Sequence, residues 1–185
     1  MRDSIRSVQL MQALSLGVYV IGVAGVAGVA GAAGDAHAPE VNAFTASSVM
    51  PVSFDPVLIA TCVGHDHASF PLLRSAREFT VNVLGADQLE VARHFGTTSA
   101  HRTDKLAGIR WRPARGGAPI LLDALAYFDC VLEATMPAAD HELIIGRVRS
   151  GEVLRPDAAP LTYAATGNMD GALELYARIA ASPGT

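Results

Sequence analysis

Thr45, Ser47 and Ser48 place three hydroxyls within four residues, with only the small Ala46 between the first two. Each hydroxyl offers one donor and two acceptor lone pairs, and the backbone between them is open. Such a patch suits a ligand rich in acceptors, above all a phosphorylated cofactor laid along the main chain. The same residues would serve equally in an amphipathic edge strand with Thr and Ser facing water. A second candidate is Gly64-His-Asp-His-Ala-Ser-Phe-Pro71. Ser69 is a good helix N-cap and Pro71 suits a first turn, so a helix N-terminus after a strand would form an anion site there. His65 and His67 stand one residue apart, but with no third ligand in register they read as a solvated loop rather than a metal site. The pair Asp140-His141 is the third candidate, a titratable group beside a turn former. Lys105 supplies a cation that suits a phosphate or simply the surface.

These groups need elements to hold them. Leu16–Ala24 reads as a buried strand, and Val57–Val63 as a central one bounded by Pro56 and Gly64. Phe79–Leu84 alternates, with Phe79, Val81 and Val83 on one side. Asp87 with Glu90 forms a capping-box pattern for a helix that ends at Gly96, with Leu89, Ala92 and Phe95 inward. Asp104–Gly108 is a helical turn at most. Ala124–Met136 and Glu142–Val153 are long strand-like runs flanking Pro137–His141, a predicted hairpin. Leu10, Ala13 and Leu14 suggest a short first helix, and 168–181 a last one, with Leu173, Ala177 and Ala180 on one face of its Asp170–Ala181 stretch. Asn82, in mid-strand, is expected to satisfy neighbouring backbone, and Trp111 and Phe128 to pack in the core. Many short strands with few helices between them predict a closed β-barrel with helical decorations.

The 185 residues, 50% hydrophobic, are expected to form one domain with a core at about 14–165. A net charge of −4 offers no basic footprint for nucleic acid. Cys62 and Cys130 lack metal spacing and are expected to be free, buried thiols in a reducing compartment. Ser7–Gly34 is uncharged and ends near Ala36-His37-Ala38, which invites a leader-peptide or membrane reading. The run is too long for a leader core and too rich in Gly, Ala and Val to insert well. Its glycines at 22, 25, 28, 31 and 34 fit neither helix nor strand, so the repeat is expected to be a slack hairpin loop in a cytoplasmic protein that spans no membrane.

In this order the motifs resemble the flavin reductase-like family of FMN-binding split barrels. The resemblance rests on Asn42-Ala-Phe-Thr-Ala-Ser-Ser48, Val52-Ser-Phe-Asp-Pro56, Phe79-Thr-Val-Asn-Val-Leu84, Asp104-Lys105 followed by Trp111, Ala118-Pro-Ile-Leu121, Cys130, and Asp140-His141 leading into Ile145-Gly-Arg-Val148. It covers roughly Leu16 to Tyr163. Two departures stand out: Ala139 where many relatives carry Gly, and His65–Phe70 where the loop often carries Arg or Lys and a Thr-His pair.

The resemblance implies a mainly β split barrel with peripheral helices, a homodimer holding FMN at the subunit interface, and NADH or NADPH as hydride donor. It places Thr45, Ser47, Ser48 and the backbone at Ala46 along the ring edge and ribityl-phosphate. Cys62, Val63 and the loop through His67 and Ala68 to Ser69 would form the second wall, with Ser69 at the phosphate and Lys105 turned toward it. His141, with Asp140, would meet the nicotinamide. The implied activity is NAD(P)H-dependent FMN reduction, as in the reductase component of a two-component monooxygenase. An FMN electron carrier or an FMN-dependent oxygenase would use the same cradle.

Overall fold

A computed structural model describes residues 14–25, 40–97, 104–169 and 171. Most of the predicted first helix, the glycine repeat beyond Gly25, the polar stretch 98–103 and the C-terminal helix lie outside the described residues. The strands are β1 (Tyr19–Gly25), β2 (Glu40–Ala46), β3 (Val49–Phe54), β4 (Val57–Gly64), β5 (Glu78–Val83), β6 (Trp111–Pro113), β7 (Pro119–Leu121), β8 (Ala126–Ala138) and β9 (His141–Val153). Two helices, α1 (Phe70–Ala76) and α2 (Leu89–Gly96), and a 3₁₀ turn at Tyr163–Thr166 complete the described chain.

Seven strands form one antiparallel sheet in the order β2-β1-β5-β8-β9-β4-β3. Strands β2 and β3 are its opposite edges, yet only Ser47 and Ser48 separate Ala46 from Val49. Three Cα steps reach about 11 Å, so the sheet must roll until its two edges nearly meet. They do not pair. The barrel expected to close is split along this line, and the two serines bridge the split.

β1 is apolar along its length because it is buried on both faces. Ile21 and Val23 enter the barrel interior with Phe44, Ile59, Phe79, Val81 and Ile144, which Phe70 and Leu73 of α1 plug. Val18 and Val20 face a second core with Leu84, Leu121, Ala92 and Phe95 of α2. Gly22 lets the β7 segment approach: a Cβ there would stand 2.7 Å from the Pro119 carbonyl oxygen. Asn82 fixes that approach, donating to Val20 and Pro119 carbonyls at 3.0 and 3.2 Å and accepting from Leu121 N–H at 2.8 Å. All of this is buried, where an unpaired amide would be costly.

Several sequence expectations shift. Asp87 does not cap α2, whose N-cap is Gln88 without a side-chain capping bond. Asp87 instead pairs with Arg155 at 2.8 Å and Glu90 with Arg93 at 2.6 Å, long-range and local ion pairs respectively that outcompete the capping box. The predicted hairpin shrinks to Ala139-Asp140, because Pro137 and Ala138 still pair with β9. Ala139 carries φ 55, a left-handed conformation that favours glycine. Cys130 is buried, but Cys62 is only half-buried; both are free.

Candidate flavin-binding site

A cavity of about 310 Å³ opens at the split. Its near wall is Phe44, Thr45, Ala46, Ser47 and Ser48; its far wall is Cys62, Val63, Gly64, His67 and His141. Val18, Gly96, Tyr163, Thr166 and Met169 close the remaining side. The topology explains the meeting: β2 and β4 lie at opposite ends of the sheet order and face one another only because the sheet is rolled.

The three hydroxyls are not equivalent. Thr45 donates its Oγ1–H to the Ala92 carbonyl at 2.7 Å, which fastens β2 to α2. Among the described residues, the side chains of Ser47 and Ser48 have no hydrogen-bond partner, so both are available to a ligand. His67 lies with its ring 4.5 Å from that of Phe44, and its Nδ1 accepts the Ser69 N–H at 3.2 Å. That bond leaves the proton on Nε2 in the neutral ring. Burial, followed by the charge of Lys105, lowers the basicity of His67 and favours that neutral form. The loop is solvent-exposed at His65, Asp66 and Ala68, with His65 pairing with Glu142 at 3.1 Å, whereas His67 is half-buried and lines the cavity.

His141 is the first residue of β9 and stands opposite Gly64 of β4. Its Nδ1 is 2.9 Å from Asp140 Oδ1. The hydrogen bond from His141 holds the Asp140 carboxyl below its ordinary range. Asp140 itself lies outside the cavity lining, as do Ala68, Ser69 and Lys105.

Ser69 precedes α1 but does not cap it: its Oγ makes no cap bond, and it is buried without a partner. α1 is seven residues long, too short to supply a developed helix dipole. Lys105 is buried at 4% exposure, and its Nζ donates to the Phe95 carbonyl at 3.2 Å, at the C-terminal end of α2. His94 Nε2 donates back to the Lys105 carbonyl at 2.6 Å. Lys105 thus secures a helix end, a favourable place for a cation, and lies outside the cavity lining; burial lowers its basicity. Burial also raises the Cys62 thiol, and pushes Cys130 up to about 12, so neither is a ready thiolate.

The sequence reading missed the closing side formed by Val18, Gly96, Tyr163, Thr166 and Met169. Those residues are scattered along the chain and meet the hydroxyl patch only through tertiary folding. As a whole, the cavity has an apolar slot, an open main-chain edge and two unpartnered hydroxyls. This arrangement fits a flat heteroaromatic ring with a polar margin and a hydroxylated tail.

A split barrel with this cavity at its seam defines a flavin-binding class of β protein. The chain belongs to the flavin reductase like domain family, which matches residues 11–171. It is 34% identical over 124 residues to a flavin reductase of Pseudomonas putida, covering 67% of this chain and 71% of that protein. It is also 34% identical over 121 residues to HsaB, the reductase subunit of a flavin-dependent monooxygenase of Mycobacterium tuberculosis (strain H37Rv), covering 65% and 63%. Other curated relatives are longer, and the match spans 34% and 21% of the length of two of them. The NADH:FAD oxidoreductase SgcE6 of Streptomyces globisporus C-1027 superimposes with a TM-score of 0.75 at 25% identity, over 89% of this chain and 91% of that one.

Proposed function

We propose that this chain is an NAD(P)H-dependent flavin reductase that takes FMN and serves as the reductase component of a two-component flavin monooxygenase. The observation that carries the reading is the Ser47-Ser48 bridge, where two unpartnered hydroxyls and open backbone border an apolar slot. When bound, the flavin supplies a two-electron acceptor for the hydride of the nicotinamide, leaving NAD(P)⁺ and reduced flavin. The protein's part is placement. Phe44 and Val63 would wall the ring, the backbone from Thr45 to Ser48 would border its polar edge, and Cys62 and His67 would complete the far side. Ser69, with an unpartnered buried hydroxyl, and Ala68 would serve the ribityl-phosphate from beside His67. His141, oriented by Asp140, stands at the rim where a nicotinamide would enter. Hydride transfer between stacked rings depends chiefly on such positioning.

The hydroxyl patch at Ser47 and Ser48 suits a terminal monophosphate, which supports FMN as the flavin. The role of HsaB as the reductase subunit of a flavin-dependent monooxygenase supports an oxygenase partner. Exposed apolar residues on edge strand β3 support a homodimer. Two unpaired cysteines suit the cytoplasm, and no helix among the described residues is long and apolar enough to cross a membrane.

Anaerobic stopped-flow mixing of the FMN-loaded protein with NADH or NADPH tests the reading. Loss of the flavin's visible absorbance on a catalytic timescale is expected with at least one nucleotide. A protein that holds FMN and stays yellow with both is an electron carrier instead.

A further inference from the structure

The β8–β9 hairpin extends past its support. β5 pairs with β8 only as far as Val131, and Leu132 N–H bonds the Arg77 carbonyl at 2.8 Å. From there to Ala138, β8 has only β9 beside it within the sheet. The β9 side is held by β4, and the last rung of that ladder is Gly64 opposite His141. The tip bearing Asp140 and His141 would therefore be held from one side at one residue.

His65 extends that hold. Its main-chain N–H donates to the Asp140 carbonyl at 3.0 Å, one residue beyond the last rung. Its Nε2 lies 3.1 Å from Glu142 Oε2, so the same residue grips the chain on both sides of His141. Glu142 is kept ionised by hydrogen bonds from Thr135 and then His65, which makes Nε2 the donor. The His65 ring in turn lies 5.4 Å from that of Phe70, a core residue of α1. A path of contacts thus runs from the barrel interior through His65 to the residues flanking His141.

We propose that His65 is a positioning residue for the nicotinamide step: it fastens the hairpin tip and so sets where His141 stands at the cavity rim. The proposal rests on the reductase reading above. His65 itself lies outside the cavity lining.

The test compares His65→Ala, His65→Gln and Glu142→Ala in the full-length, flavin-loaded protein. Gln keeps an amide donor near the position of Nε2; Ala does not. In His65→Ala, KM for the preferred nicotinamide should rise about three- to tenfold, the range of one ordinary solvent-exposed hydrogen bond. At saturation kcat should stay within about twofold, as expected for lost ground-state positioning. Flavin affinity should be unchanged, and hydrogen exchange of the amides at 139–142 should accelerate. Glu142→Ala should reproduce this, the double variant should be no worse than either single one, and His65→Gln should resemble wild type. Faster exchange with unchanged KM, equal impairment in His65→Gln, or additive losses would overturn the role of His65. A wild-type protein that oxidises neither nucleotide would refute the reductase reading first, visibly before any variant is made, and this proposal with it.

Discussion

His141 Nδ1 lies 2.9 Å from Asp140 Oδ1, while its Nε2 is 3.9 Å from where a Cβ on Gly64 would stand. The carboxylate accepts a hydrogen bond from Nδ1–H, so in the neutral ring Nε2 is left as an acceptor. Gly64 leaves room in front of it. A side chain at that position would narrow the approach to His141 from β4.

His141→Ala removes that acceptor without touching the serine bridge. KM for the nicotinamide should rise about tenfold, with a smaller change in kcat, because positioning outweighs proton transfer in a hydride step. FMN should remain bound. Stopped-flow flavin bleaching at several nucleotide concentrations separates the two parameters, and wild-type behaviour throughout would remove His141 from the site.

Among the described residues the side chains of Ser47 and Ser48 have no partners, so replacing both with Ala should cost the fold little and the ligand much. Each hydrogen bond to a partly charged ligand is worth roughly 1.5–3 kcal/mol. FMN affinity should fall at least about tenfold, with a nearly unchanged melting temperature. Undiminished flavin occupancy in the purified double variant would show that the patch is merely a strand surface.

His67 carries a pH dependence whose sign follows from its environment. Burial, then Lys105, depress its folded-state pKa below the ordinary imidazole value of about 6.5. Above that value the ring is neutral in both folded and unfolded states, and its favourable contribution is complete. As pH falls below it, the unfolded chain takes up a proton before the folded one does, and stability declines until the folded-state pKa is passed. His67→Gln should flatten this part of the stability profile between weakly acidic and neutral pH. An NMR titration of His67 with a midpoint at or above that of free histidine would contradict the placement.

The sequence showed most of what is local. The expected strand Leu16–Ala24 becomes Tyr19–Gly25, and Val57–Val63 becomes Val57–Gly64, because apolar runs and alternation register burial directly. Asn82 satisfies backbone as expected. What escaped depends on distant residues. Asp87 leaves its cap for Arg155, 68 positions away, and Lys105 is taken up by the end of α2. β6 and β7 are three residues each, too short to show a period; β7 is held in place by Gly22 and Asn82, and β6 pairs with β7. The serine patch was visible, but not its place as the join between opposite sheet edges.

Phe54 is 86% exposed on edge strand β3, with Met50, Val52 and nearby Val57 also exposed. A long apolar edge left in water invites pairing or aggregation, so a second subunit is the expected cover. In a two-fold dimer each such residue is buried twice. Burying one Phe contributes about 2 kcal/mol, so a Phe54→Asp change removes about 4 kcal/mol per dimer and weakens association roughly a thousandfold. Light scattering after size exclusion should show the wild type as a dimer and this variant as a monomer at micromolar concentration. If the second subunit also completes the cavity, flavin affinity should fall in the same variant although Phe54 does not line the cavity described here. A monomeric wild type that binds FMN fully would show instead that one chain holds the whole site and that the apolar edge serves another partner.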